Sequence, residues 1–228
     1  MKEEQPQYSG HIAIIGKPNV GKSTLLNALV EEKLSIMNRK AQTTRQNIIA
    51  RKIKDCYELL FIDTPGIQHK HRNTLNKVMN RQAIQSISEA DIVLYLIDNR
   101  PLEQQDYWII QQLKTIKPAT VILGINKMDR LNSKQLELKS NALLDLFPFN
   151  EVIPIVAKQK QNLQCLLDNL CQALPQRQHQ LDTPCQIKDP KHFLAAEIIR
   201  EKILHLIHED IPYQTHVNVE NFEQIKDI

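Results

Sequence analysis

Eight consecutive residues, Gly16-Lys17-Pro18-Asn19-Val20-Gly21-Lys22-Ser23, have the types and spacing of a loop that wraps an anion. The two glycines let the backbone close around phosphate oxygens. A lysine directly after the second glycine can reach the β- and γ-phosphates of a nucleoside triphosphate. The Ser23 hydroxyl, followed by Thr24, can ligate Mg²⁺. The apolar run His11-Ile12-Ala13-Ile14-Ile15 reads as a buried strand, and residues 23–29 have helical spacing. The loop therefore lies between a strand and a helix N-terminus, where free N–H groups and the helix dipole favour negative charge.

Two further stretches extend that chemistry. Glu58-Leu59-Leu60-Phe61-Ile62 reads as a strand that delivers Asp63-Thr64-Pro65-Gly66. An aspartate at that edge can hold a Mg²⁺-bound water, and the Gly66 N–H can approach a γ-phosphate without steric cost. By itself the tetrapeptide is ordinary turn chemistry; after a phosphate loop it reads as a switch. Val121-Ile122-Leu123-Gly124-Ile125 reads as another strand and delivers Asn126-Lys127-Met128-Asp129. A carboxylate at Asp129 can accept from the N1–H and exocyclic amine of guanine, a donor pair that adenine lacks, so GTP is selected over ATP. The Lys127 stem can lie along the base, and Asn126 can tie this loop to the phosphate loop. Between the phosphate loop and Asp63 lies Ala41-Gln42-Thr43-Thr44-Arg45. Thr44, with Thr43 as second choice, could close over Mg²⁺ and the γ-phosphate and release after hydrolysis. Of only five glycines in the chain, Gly16, Gly21 and Gly66 fall in these motifs. The expectation is a GTP- and GDP-binding, Mg²⁺-dependent GTPase with Lys22, Thr44 and Gly66 at the reacting phosphate.

These motifs, with Gln42-Thr43-Thr44-Arg45, Ala196-Glu197-Ile198-Ile199-Arg200-Glu201-Lys202 and Ile211-Pro212-Tyr213, resemble the Era family of bacterial GTPases. The resemblance runs from about residue 9 through nearly the whole chain. It implies an N-terminal GTPase domain and a C-terminal KH RNA-binding domain. It also implies a role in 16S rRNA processing and 30S ribosomal subunit assembly, with some peripheral association with the inner face of the cell membrane.

Three positions qualify what the resemblance implies. Ile67 follows the switch tetrapeptide where Ras-like proteins carry a water-positioning Gln. It offers no catalytic side chain, so water must be placed by backbone, by another residue or by a partner. Asn19 stands where several such GTPases help bind K⁺; the alternative is an asparagine that only shapes its loop through a local hydrogen bond. Val156-Ala157-Lys158 occupies the place of the family's Ser-Ala-Lys guanine loop. The Ala157 N–H is expected to meet the guanine carbonyl and Lys158 to cover the base, while the missing hydroxyl lowers GTP affinity.

Alternating strands and helices over residues 11–174 predict an α/β P-loop fold, a mostly parallel sheet with helices on both faces. Residues 91–98 read as its clearest central strand, and 47–62 as a hairpin turning at Lys54-Asp55. The expected organisation is a GTPase domain at 9–174, a Pro-punctuated linker at 175–190 and a partial KH-like region at 191–228. That region offers a helix at 192–208, with Phe193, Ala196, Ile199, Ile203 and Leu206 at apolar spacing, and a strand at 215–221. A KH domain grips nucleic acid through a G-x-x-G loop, and the last glycine of this chain is Gly124. The expectation is a C-terminally truncated relative with impaired RNA binding. The competing reading is a GTP- or GDP-binding remnant without switch output. Asp129 argues against an ATP-dependent kinase, and a GTPase domain expected to start near residue 10 argues against a tRNA-modifying GTPase, which would be expected to carry large flanking domains.

Composition adds bounds. A net charge of +3 is too small to argue for nucleic acid. Basic residues at Arg39, Lys40, Arg45, Arg51, Lys52, Lys54, Lys70, Arg72 and Lys77 read first as a solvated face and second as phosphate steering. Cys56, Cys165, Cys171 and Cys185 have no metal-ligand spacing, so free thiols in a reducing compartment are expected. The polar N-terminus is no signal peptide, and no apolar run approaches a membrane span. A cytoplasmic monomer without a DNA partner is expected.

Overall fold

The computed structural model describes residues 8–31, 48–67 and 74–177, and beyond them residues 195–196, 198–200, 202–203, 206 and 217–220. Its elements are β1 (Tyr8–Ile15), α1 (Lys22–Val30), β2 (Ile48–Lys54), β3 (Tyr57–Asp63), α2 (Thr74–Glu89), β4 (Ile92–Ile97), α3 (Gln104–Ile116), β5 (Val121–Ile125), α4 (Ser133–Leu144), β6 (Glu151–Pro154) and α5 (Leu163–Ala173). Short 3₁₀ turns at Met128–Arg130 and Ala157–Gln159 follow β5 and β6.

The six strands form one sheet in the order β2-β3-β1-β4-β5-β6. Only β2 runs antiparallel to its neighbour; β3, β1, β4, β5 and β6 pair in parallel. The expected mostly parallel α/β sheet is therefore present. The expected hairpin forms too, with Asp55 at a left-handed φ of 51° in its turn. Asp tolerates that conformation better than most side chains.

The central strands are apolar on both faces because helices cover both faces. Successive residues of β1 and β4 alternate between two cores. Ile12, Ile14, Leu94 and Leu96 pack with Leu25, Leu26 and Leu29 of α1 and Leu166 and Leu170 of α5. Ala13, Ile15, Tyr95 and Ile97 pack with Ile87 of α2, Ile109 and Leu113 of α3 and Leu143 of α4. At about 25 cal/mol per Å² of apolar surface, this two-sided burial is the main force fixing the strand ends.

α4 begins with a reciprocal cap: the Asn132 side chain accepts from Gln135 N at 2.9 Å, and Gln135 returns to Asn132 N at 3.0 Å.

Beyond residue 177 the correspondence is partial. The described residues from 195 to 206 are helical, as expected. Ile199 and Leu206 of the expected apolar stripe are 46% and 78% exposed, however, while Arg200 beside them is buried. Residues 217–220, from the expected strand at 215–221, lie outside any ladder. A strand needs a hydrogen-bonded neighbour, and none of the described strands pairs with them.

Candidate functional site

Four strands, β1, β3, β4 and β5, end along one edge of the sheet, and the loops that leave them converge there. The loop after β1 needs its glycines. Gly16 and Gly21 take φ values of 150° and 106°. A Cβ at Gly16 would strike the Leu96 carbonyl, and one at Gly21 the Asn126 side-chain amide. Asn19 sits exposed between them at φ 65°.

Lys22, at the start of α1, is buried rather than extended into solvent. Its Nζ donates to the carbonyls of Gly16 and Lys17, at 3.2 Å each. Burial lowers its pKa from 10.5 to about 8, against the opposing pull of Asp63. A desolvated cation held mainly by neutral carbonyls favours an incoming anion.

Beside it, Ser23 Oγ donates to Asp63 Oδ2 at 2.9 Å. A hydroxyl and a carboxylate side by side are the hard oxygen donors that Mg²⁺ prefers, so the residues present fit that ion. Thr43 and Thr44 lie outside the described residues. The segment after Asp63 is fastened to the phosphate loop. Thr64 Oγ1 donates to Ile14 O at 2.8 Å, and Ile67 N to Gly16 O at 3.2 Å. The Ile67 side chain is fully buried in the core shared with α2 and α3. Gly66 lies so close to Pro18 that a Cβ would meet its backbone at 3.0 Å.

Asn126 organises the base end. Its Nδ2 donates to Val20 O at 2.8 Å, while its Oδ1 accepts from Lys127 N at 2.8 Å and Ala157 N at 3.0 Å. A cavity of about 170 Å³ opens among Gly21, Thr24, Lys127, Asp129, Val156 and Lys158. Asp129 and Lys158 are exposed there. The Ala157 N–H, expected to face a guanine carbonyl, donates to Asn126 Oδ1 at 3.0 Å in this structure. A buried amide must find an acceptor, and the asparagine carbonyl supplies it.

Lys127 Nζ donates to Asn19 O and to Asp98 Oδ2, both at 2.8 Å. Burial pushes the Asp98 carboxyl up, but hydrogen bonds from Arg100 and Lys127 outweigh it and hold the pKa below the ordinary value. Lys17 does not point towards the phosphate region. Its Nζ lies 2.6 Å from Asp106 Oδ2 and 3.4 Å from Glu103 Oε2, on α3 and its N-cap. Sequence reasoning passed over Asp98, Glu103 and Asp106. The available signal was position: Asp98 ends a run of apolar strand residues at the sheet edge where α/β proteins bind ligands.

Three of the basic residues on β2 are paired: Arg51 with Glu58 at 2.6 Å, Lys52 with Glu31 at 3.4 Å and Lys54 with Asp168 at 2.5 Å. Among the described residues, Cys56, Cys165 and Cys171 are free thiols, and no helix is long and apolar enough to cross a membrane.

A phosphate loop, a switch segment and a guanine-type pocket along one sheet edge define a P-loop GTPase domain. Residues 11–127 match the model of a family described as 50S ribosome-binding GTPase. GTPase Era of Glaesserella parasuis serovar 5 is 38% identical over 221 residues, covering 96% of this chain and 73% of that protein. GTPase Era of Nitrosomonas eutropha is 41% identical over 216 residues, covering 94% and 72%. A crystal structure of Era with MgGDPNP and nucleotides 1506–1542 of 16S ribosomal RNA matches with a TM-score of 0.81 and 36% identity, over 91% of this chain and 70% of that one. A variant of Aquifex aeolicus Era bound to GDP and aluminium fluoride matches at 0.80 and 37%, over 90% and 70%. The chain belongs to the Era family of GTPases. It binds GTP and GDP, and it hydrolyses GTP.

Proposed function

We propose that this chain is a GTP-controlled switch whose target is ribosomal RNA of the small subunit, acting in 16S rRNA processing and 30S assembly. The observation that carries the reading is the reach of the match. It spans 96% of the chain and so continues past α5 into the residues after 177. The relative crystallised with a 16S rRNA segment is matched over 91% of this chain. The residues at 9–174 form the GTPase domain in this reading, 175–190 the linker and 191–228 a KH-like portion.

Within the switch, each residue has a task. Lys22 meets the β- and γ-phosphates, trading its carbonyl partners for anionic oxygens. The amides of residues 16–24 cradle the phosphates at the N-terminus of α1. Ser23, Asp63 through a water, and Thr44 would hold Mg²⁺, which would supply positive charge against the negative charge that develops on the phosphates. Water attacks the γ-phosphorus in line with the departing β-phosphate oxygen, giving GDP and phosphate. The Gly66 N–H and the loop amides receive the charge that builds on the γ-oxygens. Ile67 is spent on the core, so its side chain takes no part in placing water. Asp129 reads the guanine edge, Lys127 and Lys158 flank the base, and Val156 makes that pocket looser than a serine would. Asn19, at an exposed loop position, is the candidate K⁺ ligand; equal hydrolysis in K⁺ and Na⁺ excludes it.

The test is a titration of the chain with RNA matching the 16S 3′ end, bound to a non-hydrolysable GTP analogue, to GDP, or to neither. Binding that is tight only in the GTP-analogue state supports the switch. Nucleotide binding without RNA binding in any state selects the nucleotide-binding remnant instead. Peripheral membrane contact is tested beside it by flotation with anionic vesicles.

A further inference from the structure

Lys17 and Asp106 form a buried ion pair that the phosphate chemistry itself does not use. Lys17 is 3% exposed and Asp106 1%. Such a pair is helped by further hydrogen bonds to its members, and both oxygens of this carboxylate carry one. Asp106 Oδ2 accepts from Lys17 Nζ and from Glu103 N at 2.9 Å, the latter closing the N-terminus of α3. Asp106 Oδ1 accepts from the buried Tyr95 hydroxyl at 3.1 Å. The carboxylate is thereby fixed from β4, from α3 and from the phosphate loop together.

The other end of Lys17 faces the reacting groups. Its backbone carbonyl accepts from Lys22 Nζ. Its chain neighbour Pro18 is the surface against which Gly66 packs. One residue thus touches both the phosphate-binding lysine and the platform of the switch segment, while its side chain is clamped to α3.

We propose that Asp106 is a positioning residue for GTP hydrolysis. Through Lys17 it sets the orientation of the loop peptide that aims Lys22 and seats Gly66. The inference rests on the assignment of this loop to the phosphates of GTP. Misplacing a reacting group by about 1 Å costs on the order of 10²-fold in rate, so a loosened clamp shows in turnover before it shows in binding.

The test uses the full chain with Asp106→Asn, Lys17→Met and the double variant, read by single-turnover GTP hydrolysis, GDP affinity and thermal melting. Each single variant is expected to lower the hydrolysis rate by about ten- to a hundredfold, with GDP affinity within about threefold. The double variant is expected to be no slower than the slower single, because both changes cut the same link. Asp168→Asn, which breaks a surface pair with Lys54, is the control expected to keep the wild-type rate. Multiplying losses in the double variant, or a lowered melting point with an unchanged rate, would overturn the proposal. If Asp106→Asn does not fold, Tyr95→Phe decides: it removes one hydrogen bond to Asp106 and no charge. A several-fold slower rate supports the clamp, and a wild-type rate refutes it. If the wild-type chain fails to bind GDP, the phosphate assignment has failed instead.

Discussion

Ser23 Oγ and Asp63 Oδ2 are 2.9 Å apart although forty residues separate them in the chain. The parallel pairing of β1 with β3, which sets Ile14 opposite Asp63, brings them together. The sheet register thus builds a two-oxygen site next to the Lys22 ammonium.

That site predicts the first outcome. Ser23→Ala and Asp63→Asn each lower Mg²⁺-dependent hydrolysis by about 10²-fold or more. The Mg²⁺ concentration for half-maximal rate should rise in both. A rate insensitive to either change at saturating GTP would remove these residues from the metal site.

Lys22 predicts a stability effect opposite to its functional one. Its folded pKa of about 8 lies below the ordinary 10.5. Below pH 8 the ammonium is charged in both folded and unfolded chains, and the folded state bears the cost of burying it. From pH 8 to 10.5 the unfolded chain binds the proton and the folded chain does not, so this group makes stability rise with pH. Lys22→Met should therefore stabilise the nucleotide-free protein at pH 7, by on the order of 1–3 kcal/mol, while GDP affinity falls at least about 10²-fold. Paired melting curves at pH 7 and 9.5 check it: the variant's advantage should shrink at the higher pH. For the wild type, GDP affinity should fall as pH rises through 8, since phosphate binding requires the charged lysine.

Asn126 joins three loops through three hydrogen bonds, two of them to buried groups. Asn126→Ala strands the Val20 carbonyl and the Ala157 amide, and should cost about 2–4 kcal/mol of stability. Guanine nucleotide affinity should fall with it. Denaturant unfolding with and without GDP separates the two losses: the stabilisation by GDP should largely vanish.

Val156 is buried at the mouth of the base cavity that Asp129 also lines. Val156→Ser is expected to tighten GDP binding by about three- to tenfold, one hydrogen bond's worth. Removing two buried methyls should cost about 1–2 kcal/mol of stability. Calorimetric titration with GDP decides; unchanged affinity would show that the hydroxyl gives the pocket nothing.

The basic residues of β2 show what a linear reading cannot weigh. Arg51, Lys52 and Lys54 are a cluster in sequence, yet their partners Glu58, Glu31 and Asp168 come from three other places in the chain. Arg51 and Glu58 share one hairpin, but Glu31 and Asp168 lie 21 and 114 residues from their lysines, so those two pairings have no local signature and became visible only in the fold. Ala157 is similar. Its amide could be assigned to a nucleotide from the motif, but not to Asn126, whose side chain arrives from the loop after β5.

What the sequence determined alone is local. Glycines at positions 16 and 21, apolar runs of strand length and helical spacing after Ser23 specify a strand, an anion loop and a helix without reference to anything distant. Strand and helix periodicities also required a two-faced sheet, because Ile12 and Ala13 must point to opposite sides. Tertiary structure decided the destinations of the long side chains. Lys17 and Lys22 stand in the same loop with the same chemistry. Lys22 folds onto carbonyls at the phosphate site, while Lys17 leaves for Asp106 on α3. Spacing fixes where a lysine begins, but only the packed neighbours fix where its charge ends, because a buried ammonium goes to the acceptors that desolvation leaves within reach.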